Sequence, residues 1–447
     1  MLKKFFSFWK TGPDKPLIED QDKIDKMYRT KRRSVIWSVV LGYGIFYIVR
    51  LTLSVAKKPM VDAGILDVAQ LGIMGSVMFY VYAVGKFTNG FLSDRANIKR
   101  FMSTGLFVSA IINLIIGFNT YFIFFVILWG INGWFQSMGS PPSVVSITQW
   151  YSRKEYGTYY GVWAASHNIG EGLTFVVTSF IVSAYGWQMG FIGPGLFALL
   201  VAIILFLTLQ DRPQTYGLPH VTEYRQDFSA GKPSTKPTWE LQKEILKSQV
   251  VWRIGLAAAL LYTARYAIHS WGPFYFQEAK GFSIEEAGWL MGLNTIFGLA
   301  GAMTSGFVSD KIFKSKRNIP TLIYGSMLIA GLIIMFVAPP GKIWIDAVGL
   351  GIFEFALGGS LVFLAGLIAV DVFSKKATGA VKGVVGLFSY MGAATQEWVS
   401  GLLIEMGKTV EHGVTSYDFS YAFYFWIAAA VLSLVAALSV WNVKSKA

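Results

Sequence analysis

Twelve long apolar segments constrain this 447-residue chain more than any other feature: 34–56, 70–92, 101–118, 121–148, 157–184, 187–209, 250–276, 284–308, 320–338, 344–370, 379–405 and 418–443. Each reaches or nearly reaches the roughly 20 residues a helix needs to cross about 30 Å of hydrocarbon. Strands crossing a bilayer would alternate over roughly 10 residues, so a barrel is excluded. Only 15% of the residues are charged, against about 25% in a soluble domain. The expectation is an all-α membrane protein. Without cysteine, disulfides and thiolate chemistry are excluded, and four scattered histidines leave little for a metal site. No metal and no cofactor are expected.

The polar interval 210–249 divides the spans six and six, which sets the expected organisation. A cytoplasmic segment 1–33 precedes a half at 34–209, a central loop at 210–249, a second half at 250–443 and a tail at 444–447. Residues 1–33 carry ten basic residues ahead of a run long enough to span, which is not the pattern of a cleavable signal. The net charge of +13 is unevenly spread. Thirty Lys and Arg fall before the first span, in or at the edge of the loops on the same side, and in the tail, whereas five (Lys57, Lys58, Lys280, Lys342, Lys408) fall opposite. By the positive-inside rule both termini and the central loop are cytoplasmic, in a bacterial-type inner membrane. The charge thus reports topology, and a nucleic-acid partner is not expected.

Three motifs recur at nearly one offset. Gly90-Phe91-Leu92-Ser93-Asp94-Arg95 returns as Gly306-Phe307-Val308-Ser309-Asp310-Lys311, Tyr47-x-x-Arg50 returns as Tyr262-x-x-Arg265, and the Tyr151-Ser152-Arg153-Lys154 stretch returns at Phe373. They imply duplicated six-helix halves, and parallel repeats of this kind place a binding site at their interface near the midplane. In the first motif the glycine allows close helix approach, and Asp94 can accept bonds from a neighbouring helix end or basic residue. Gly90, Asp94, Arg95, Gly306, Asp310 and Lys311 are therefore candidate gating or structural residues.

Four cations remain inside the spans: Arg50, Lys86, Arg265 and Lys382. An arginine at a span centre costs about 2.5–3.5 kcal/mol on insertion scales, so it normally faces a cavity or a partner. Duplicated arginines at the interface of two halves form a two-sided clamp whose forks match carboxylate or phosphate oxygens. Lys86 and Lys382 lie within two turns of the cytoplasmic face, where snorkelling competes with a role in the pocket. His167 and Asn168 in the fifth span could bond an anion, and His269 could support Arg265 from one turn away. Tyr43, Tyr47, Tyr82, Tyr262 and Tyr266 cluster about the arginines and can donate hydroxyls to phosphate or sugar oxygens. Glu354 and Glu397 could neutralise one of the intramembrane cations.

These residues, with Gly133-Trp134-Phe135-Gln136-x-x-Gly139-x-Pro141-Pro142 and Asp211-Arg212-Pro213-Gln214, resemble the organophosphate:phosphate antiporter family of the major facilitator superfamily. The resemblance implies twelve helices in two pseudo-symmetric halves. It also implies paired arginines clamping a phosphoryl group, and a lysine and a histidine, here Lys86 and His167, lining the same pocket. The chain departs from the family at Leu51, where many members carry a basic residue, at Gly358-Gly359-Ser360, where a Gly-Pro pair is usual, and at Lys382, where relatives carry Asp or Thr. It departs also at Thr295, where a glutamate is usual, and this leaves the pocket more positive.

The implied activity is exchange of a sugar phosphate, hexose 6-phosphate foremost, for inorganic phosphate by alternating access, in a monomer embedded in the bilayer. A glycerol-3-phosphate exchanger and a receptor that senses hexose phosphate without moving it are the alternatives. A membrane phosphohydrolase with His167 as nucleophile lacks a partner acid or metal cluster.

Overall fold

The computed structural model describes residues 7–227, 247–313, 318–364 and 378–440; the side chains of Asp310 and of residues 378–382, Lys382 among them, lie outside that description. The first half holds α1 (Gln21–Asp62), α2 (Val68–Ser93), α3 (Ile98–Ile116), α4 (Phe122–Gln136), α5 (Ser140–Trp150), α6 (Arg153–Tyr185) and α7 (Trp187–Thr208). A short α8 (Val221–Tyr224) follows. The second half holds α9 (Gln249–Glu278), α10 (Ile284–Phe307), α11 (Asn318–Val337), α12 (Ile343–Val362), α13 (Thr378–Met406) and α14 (Ser420–Leu438). Among the described residues nine helical stretches, with α4 and α5 taken together, are long and apolar enough to cross a membrane by composition alone. The three other long helices, α6, α9 and α13, carry the buried Glu171, Arg265, His269 and Glu397 between the halves.

Local chemistry explains the element ends. Asp67 with Gln70 and Ser283 with Glu286 form reciprocal capping boxes that start α2 and α10. The expected span 121–148 is two helices, because Pro141 and Pro142 have no N–H to bond the carbonyls of a preceding turn and are tolerated only in the first turn of a new helix. The break leaves Gln136 fully buried at the end of α4. The 42 residues of α1 extend about 60 Å, roughly twice the hydrocarbon thickness, so the helix begins inside what the sequence marks as the segment before the first span.

One element lies outside the all-helical expectation. Strands β1 (Lys408–Glu411) and β2 (Val414–Tyr417) pair antiparallel across His412-Gly413. Both turn residues have positive φ, 51° and 82°, as a two-residue hairpin that follows the strand twist requires.

The N-terminal segment and central loop share an anchor on one face. Asp211 accepts from Thr11 Oγ1 (2.8 Å) and Asn97 Nδ2 (3.0 Å), its carbonyl accepts from Trp150 Nε1, and Arg212 pairs with Asp14. This face, which carries most of the basic residues, is called the basic face below.

Between the halves, the opposite face is sealed. A Cβ on Gly72 of α2 would lie 2.7 Å from the Glu397 carbonyl and 3.0 Å from Gly401 Cα, both on α13. The basic face stands open among the described residues: a Cβ added at Gly90, Gly157, Gly161, Gly306, Gly383 or Gly386 would meet none of them within 4 Å. Gly90 and Gly306, expected at a close helix approach, make none with a described residue in this conformation. Asp94 is exposed at the end of α2 with no side-chain bond among the described residues. Arg95 is exposed and takes part through its backbone, whose carbonyl accepts from Thr11 N; Lys311 is exposed on a π turn (Val308–Ile312).

Candidate functional site

Arg50 projects from the middle of α1 and is only 2% exposed. Its Nε donates to Gln136 Oε1 at 3.3 Å, so the helix break at the Pro pair supplies its one protein acceptor. Its guanidinium lies 4.5 Å from the Tyr47 ring and 4.4 Å from the Tyr82 ring, while Nη1 and Nη2 are buried and meet no acceptor among the described residues. Aromatic faces hold a cation weakly and leave its N–H edge free. Four N–H groups thus stay available at one buried point, and a buried donor left unmatched is costly.

Arg265 of α9 is the asymmetric counterpart. Its Nη2 donates to Glu171 Oε1 at 2.7 Å, whereas its Nε is buried with no acceptor. Glu171 on α6 also accepts from Asn294 Nδ2 (3.3 Å) and lies 3.5 Å from His269 Nδ1. His269 Nε2 meets Glu354 Oε1 at 2.9 Å. His269 therefore supports Arg265 through Glu171, and Glu354 pairs with the histidine and with none of the arginines. Glu171 supplies the acid that Thr295 lacks, so the pocket is less positive than the departure at Thr295 suggests. The Thr295 hydroxyl donates to the Asn168 carbonyl at 2.9 Å, joining the halves there.

Tyr390 of α13 links the two arginines. Its ring lies 4.4 Å from Tyr82, 5.5 Å from Tyr262 and 6.3 Å from Tyr266, and the ammonium of Lys86 sits 4.7 Å from its centroid. Tyr262 and Tyr266 flank Arg265 at 5.6 and 5.4 Å. Tyr43 stacks on Trp163 at 4.7 Å and touches Tyr47 edge-on, and Tyr47 lies 5.4 Å from the His167 ring. Arg50, Lys86, Arg265, His167 and all five tyrosines are thus joined through side-chain contacts between the halves. Asn168 meets the second half through its carbonyl, at Thr295, rather than the cluster itself, and Lys382 lies outside the described side chains.

Four contributors escaped the sequence reading: Tyr390, Glu171, Gln136 and the burial of Lys57. Tyr390 sits 222 positions after Asn168, the offset of one of the repeated motifs, so the duplication pointed to it. Glu171 is an acid inside the fifth span, next to the Asn168-x-Gly170 stretch, and a scan for intramembrane acids finds it. Gln136 becomes visible only once the break after it is known. Lys57, expected among the exposed charges opposite the basic face, is fully buried, because α1 runs six residues past position 56 and carries the lysine between the halves. There it bonds Glu397 Oε2 (2.9 Å) and Ser270 Oγ (2.7 Å) and lies 3.5 Å over the Trp271 ring. Glu397 therefore neutralises Lys57 and not the four cations singled out in the spans. Among the described residues no cluster of His, Cys, Asp and Glu could hold a metal ion.

Two six-helix halves with charge gathered between them define a polytopic membrane protein of duplicated build. The profile of the Major Facilitator Superfamily matches residues 39–396. The chain belongs to that superfamily and, within it, to the organophosphate:phosphate antiporter family. It is 33% identical over 412 residues to the membrane sensor protein UhpC of Salmonella typhimurium, covering 90% of this chain and 91% of that one. It is 31% identical over 445 residues to a probable hexose phosphate transport protein of Chlamydia pneumoniae, covering 96% and 95%. A glycerol-3-phosphate transporter of Bacillus subtilis is 31% identical over 446 residues, with 97% and 98% covered. In three dimensions the chain resembles a bacterial homologue of the human lysosomal transporter Spinster, solved inward-facing and unoccupied. The TM-score is 0.71 at 18% identity over 92% of this chain and 96% of that one, a likeness of fold.

Proposed function

We propose that this protein moves phosphate esters across the membrane, exchanging a hexose 6-phosphate for inorganic phosphate at the cluster between its halves. One observation carries the reading: the buried Nη1 and Nη2 of Arg50 find no acceptor among the described residues, and an anion with several oxygens satisfies them. Relatives named for hexose phosphate and glycerol-3-phosphate transport support the substrate class. Arg50 and Lys86 take the phosphoryl group first, because Arg265 is already neutralised by Glu171. The phosphoryl oxygens then compete with Glu171 for Arg265, and Tyr82, Tyr262, Tyr266 and Tyr390 offer hydroxyls to the ester and sugar oxygens. An unpaired buried guanidinium costs several kcal/mol. The empty protein therefore reorients slowly and the loaded one quickly, which makes the transport an obligatory exchange.

Orientation follows the charge bias, with the basic face and both termini in the cytoplasm of a bacterial-type cell. A second reading, a receptor that binds hexose phosphate without moving it, is favoured by the likeness to a protein named as a sensor. Liposomes loaded with labelled phosphate separate the two. Efflux of label on adding external glucose 6-phosphate or glycerol 3-phosphate, and not without them, is the expected result. Binding with no efflux supports the receptor, and neither binding nor efflux overturns both readings.

A further inference from the structure

A second cluster of cations lies apart from the one between the halves. On the basic face, the first turns of α1, the start of α6 and the end of α8 enclose a cavity of about 410 Å³. Its polar wall is Arg29, Arg32, Arg33 and Arg225, and its apolar floor is made by Ile36, Trp37 and Val162. Four guanidiniums meet one carboxylate here: Glu155 Oε1 accepts from Arg32 Nη2 at 2.7 Å and from Arg225 Nη2 at 2.9 Å. Arg32 is only 8% exposed, stacked 4.4 Å over the Tyr151 ring, and its Nε is buried without an acceptor. Arg29 and Arg33, one turn apart on a single helix face, meet no carboxylate among the described residues. Like charges so placed repel, and among the described residues Glu155 offsets only Arg32 and Arg225.

The floor distinguishes between ligands. Trp37 is 70% exposed and stands one turn beyond Arg33 toward the membrane interior, with Val162 exposed across from it. Tryptophan in that position marks the level of the headgroups. A free anion would use the arginines and leave the floor bare, whereas an amphiphile covers both. We infer that this cavity binds the phosphate of an anionic phospholipid from the leaflet on the basic face, with Arg29, Arg33 and Arg225 on the phosphate and the first acyl carbons over Trp37 and Val162. Cationic pockets between helices on the cytoplasmic side are suited to such headgroups. The proposal depends on the orientation given above and is independent of what the cluster between the halves carries.

The test uses the full chain, purified and placed in bilayers of phosphatidylcholine with or without phosphatidylglycerol, and counts retained lipids by native mass spectrometry. The wild type should retain phosphatidylglycerol in preference to phosphatidylcholine, and 10 mM inorganic phosphate should not displace it. A basic residue near the surface contributes about a fivefold gain in affinity for anionic lipid, so R29Q/R33Q should weaken retention by roughly 25-fold. R29K/R33K should keep most of it, and this shows that the change in the Gln pair is not misfolding. Equal retention of both lipids, equal retention by wild type and R29Q/R33Q, or displacement by inorganic phosphate would each overturn the proposal, the last by assigning the site to a free anion.

Discussion

The two ends of the interface between the halves are built from the same residue types and are used differently. At the opposite face, Gly72 and Gly401 bring α2 and α13 into backbone contact, and a salt bridge, Lys57–Glu397, is sealed in beside them. At the basic face, Gly90, Gly306, Gly383 and Gly386 lie on α2, α10 and α13 with no described residue within 4 Å of where a side chain would begin. Small residues let helices approach closely in a membrane. Where no approach occurs they have only a cost, about 0.5–1 kcal/mol each in a helix. Glycines on the open side are therefore explained by a contact made when that side closes. One conformation then displays both a gate shut and a gate whose surfaces are ready.

The largest effect is expected at the cluster between the two ends. Arg50→Lys or Arg265→Lys should lower phosphate exchange in liposomes by about a thousandfold, because a point charge loses the fork that takes two oxygens at once. Neither substitution should change the packing at either end. An exchange rate within tenfold of wild type for either variant removes that arginine from the proposed clamp.

Next in size is the sealed end. Glu397→Gln leaves Lys57 buried and unpaired, a loss of about 3–5 kcal/mol, enough to move the gate equilibrium by a hundredfold or more. The chain has no cysteine, so spin labels on Ala63→Cys and Val410→Cys report the opposite face alone. Their separation should widen in Glu397→Gln. It should return toward the wild-type value when Lys57→Met and Glu397→Met are combined, since an apolar pair of similar size can replace a buried ion pair. An unchanged separation in Glu397→Gln means that the ion pair does not hold the gate.

The open end gives a smaller and more discriminating effect. Leucine is a better helix former than glycine by up to about 1 kcal/mol, so Gly90→Leu and Gly306→Leu should leave thermal stability unchanged or raise it. The same substitutions should slow exchange by about tenfold, because the added side chain occupies the space that closing must use. Gly401→Leu should do the reverse, destabilising this conformation through a clash with α2. A loss of stability at Gly90 equal to that at Gly401 would erase the distinction between the ends.

Much of this was legible in the sequence for a physical reason: a bilayer enforces span length and charge asymmetry, and duplication writes the binding residues twice. Arg50 and Arg265 were found because each half carries Tyr-x-x-Arg at matching positions. Lys57 was missed because it follows the apolar run that defines a span, and nothing in hydropathy says that a helix continues past that run into the contact between the halves. The pairing of Glu171 with Arg265, and of Glu354 with His269, depends on which helix faces lie opposite, and that is a property of packing between segments about 85–95 residues apart. The open glycines are legible as motif but not as state, since one sequence serves both conformations.

The smallest effect lies outside the membrane, where α1 meets α6 at the basic face. Burial works against the charge on Glu155, but its bonds to Arg32 and to Ser152 outweigh it and hold the carboxyl below its usual value of 4.5. A depressed carboxyl stabilises the folded contact above its unfolded pKa, and that contribution is lost as pH falls through the folded value. The contact between the first turns of α1 and the start of α6 should therefore be unaffected at pH values well above 4.5 and loosen only as pH falls below 4.5, through the lowered folded value. Trp37 fluorescence at stepwise lower pH would follow it, and Glu155→Gln should show the loosened signal already at pH 7. The open basic face would then respond to acid while the sealed face, which holds none of these groups, keeps its separation between labels at Ala63→Cys and Val410→Cys. An equal response at both faces would show that acid acts on the fold as a whole.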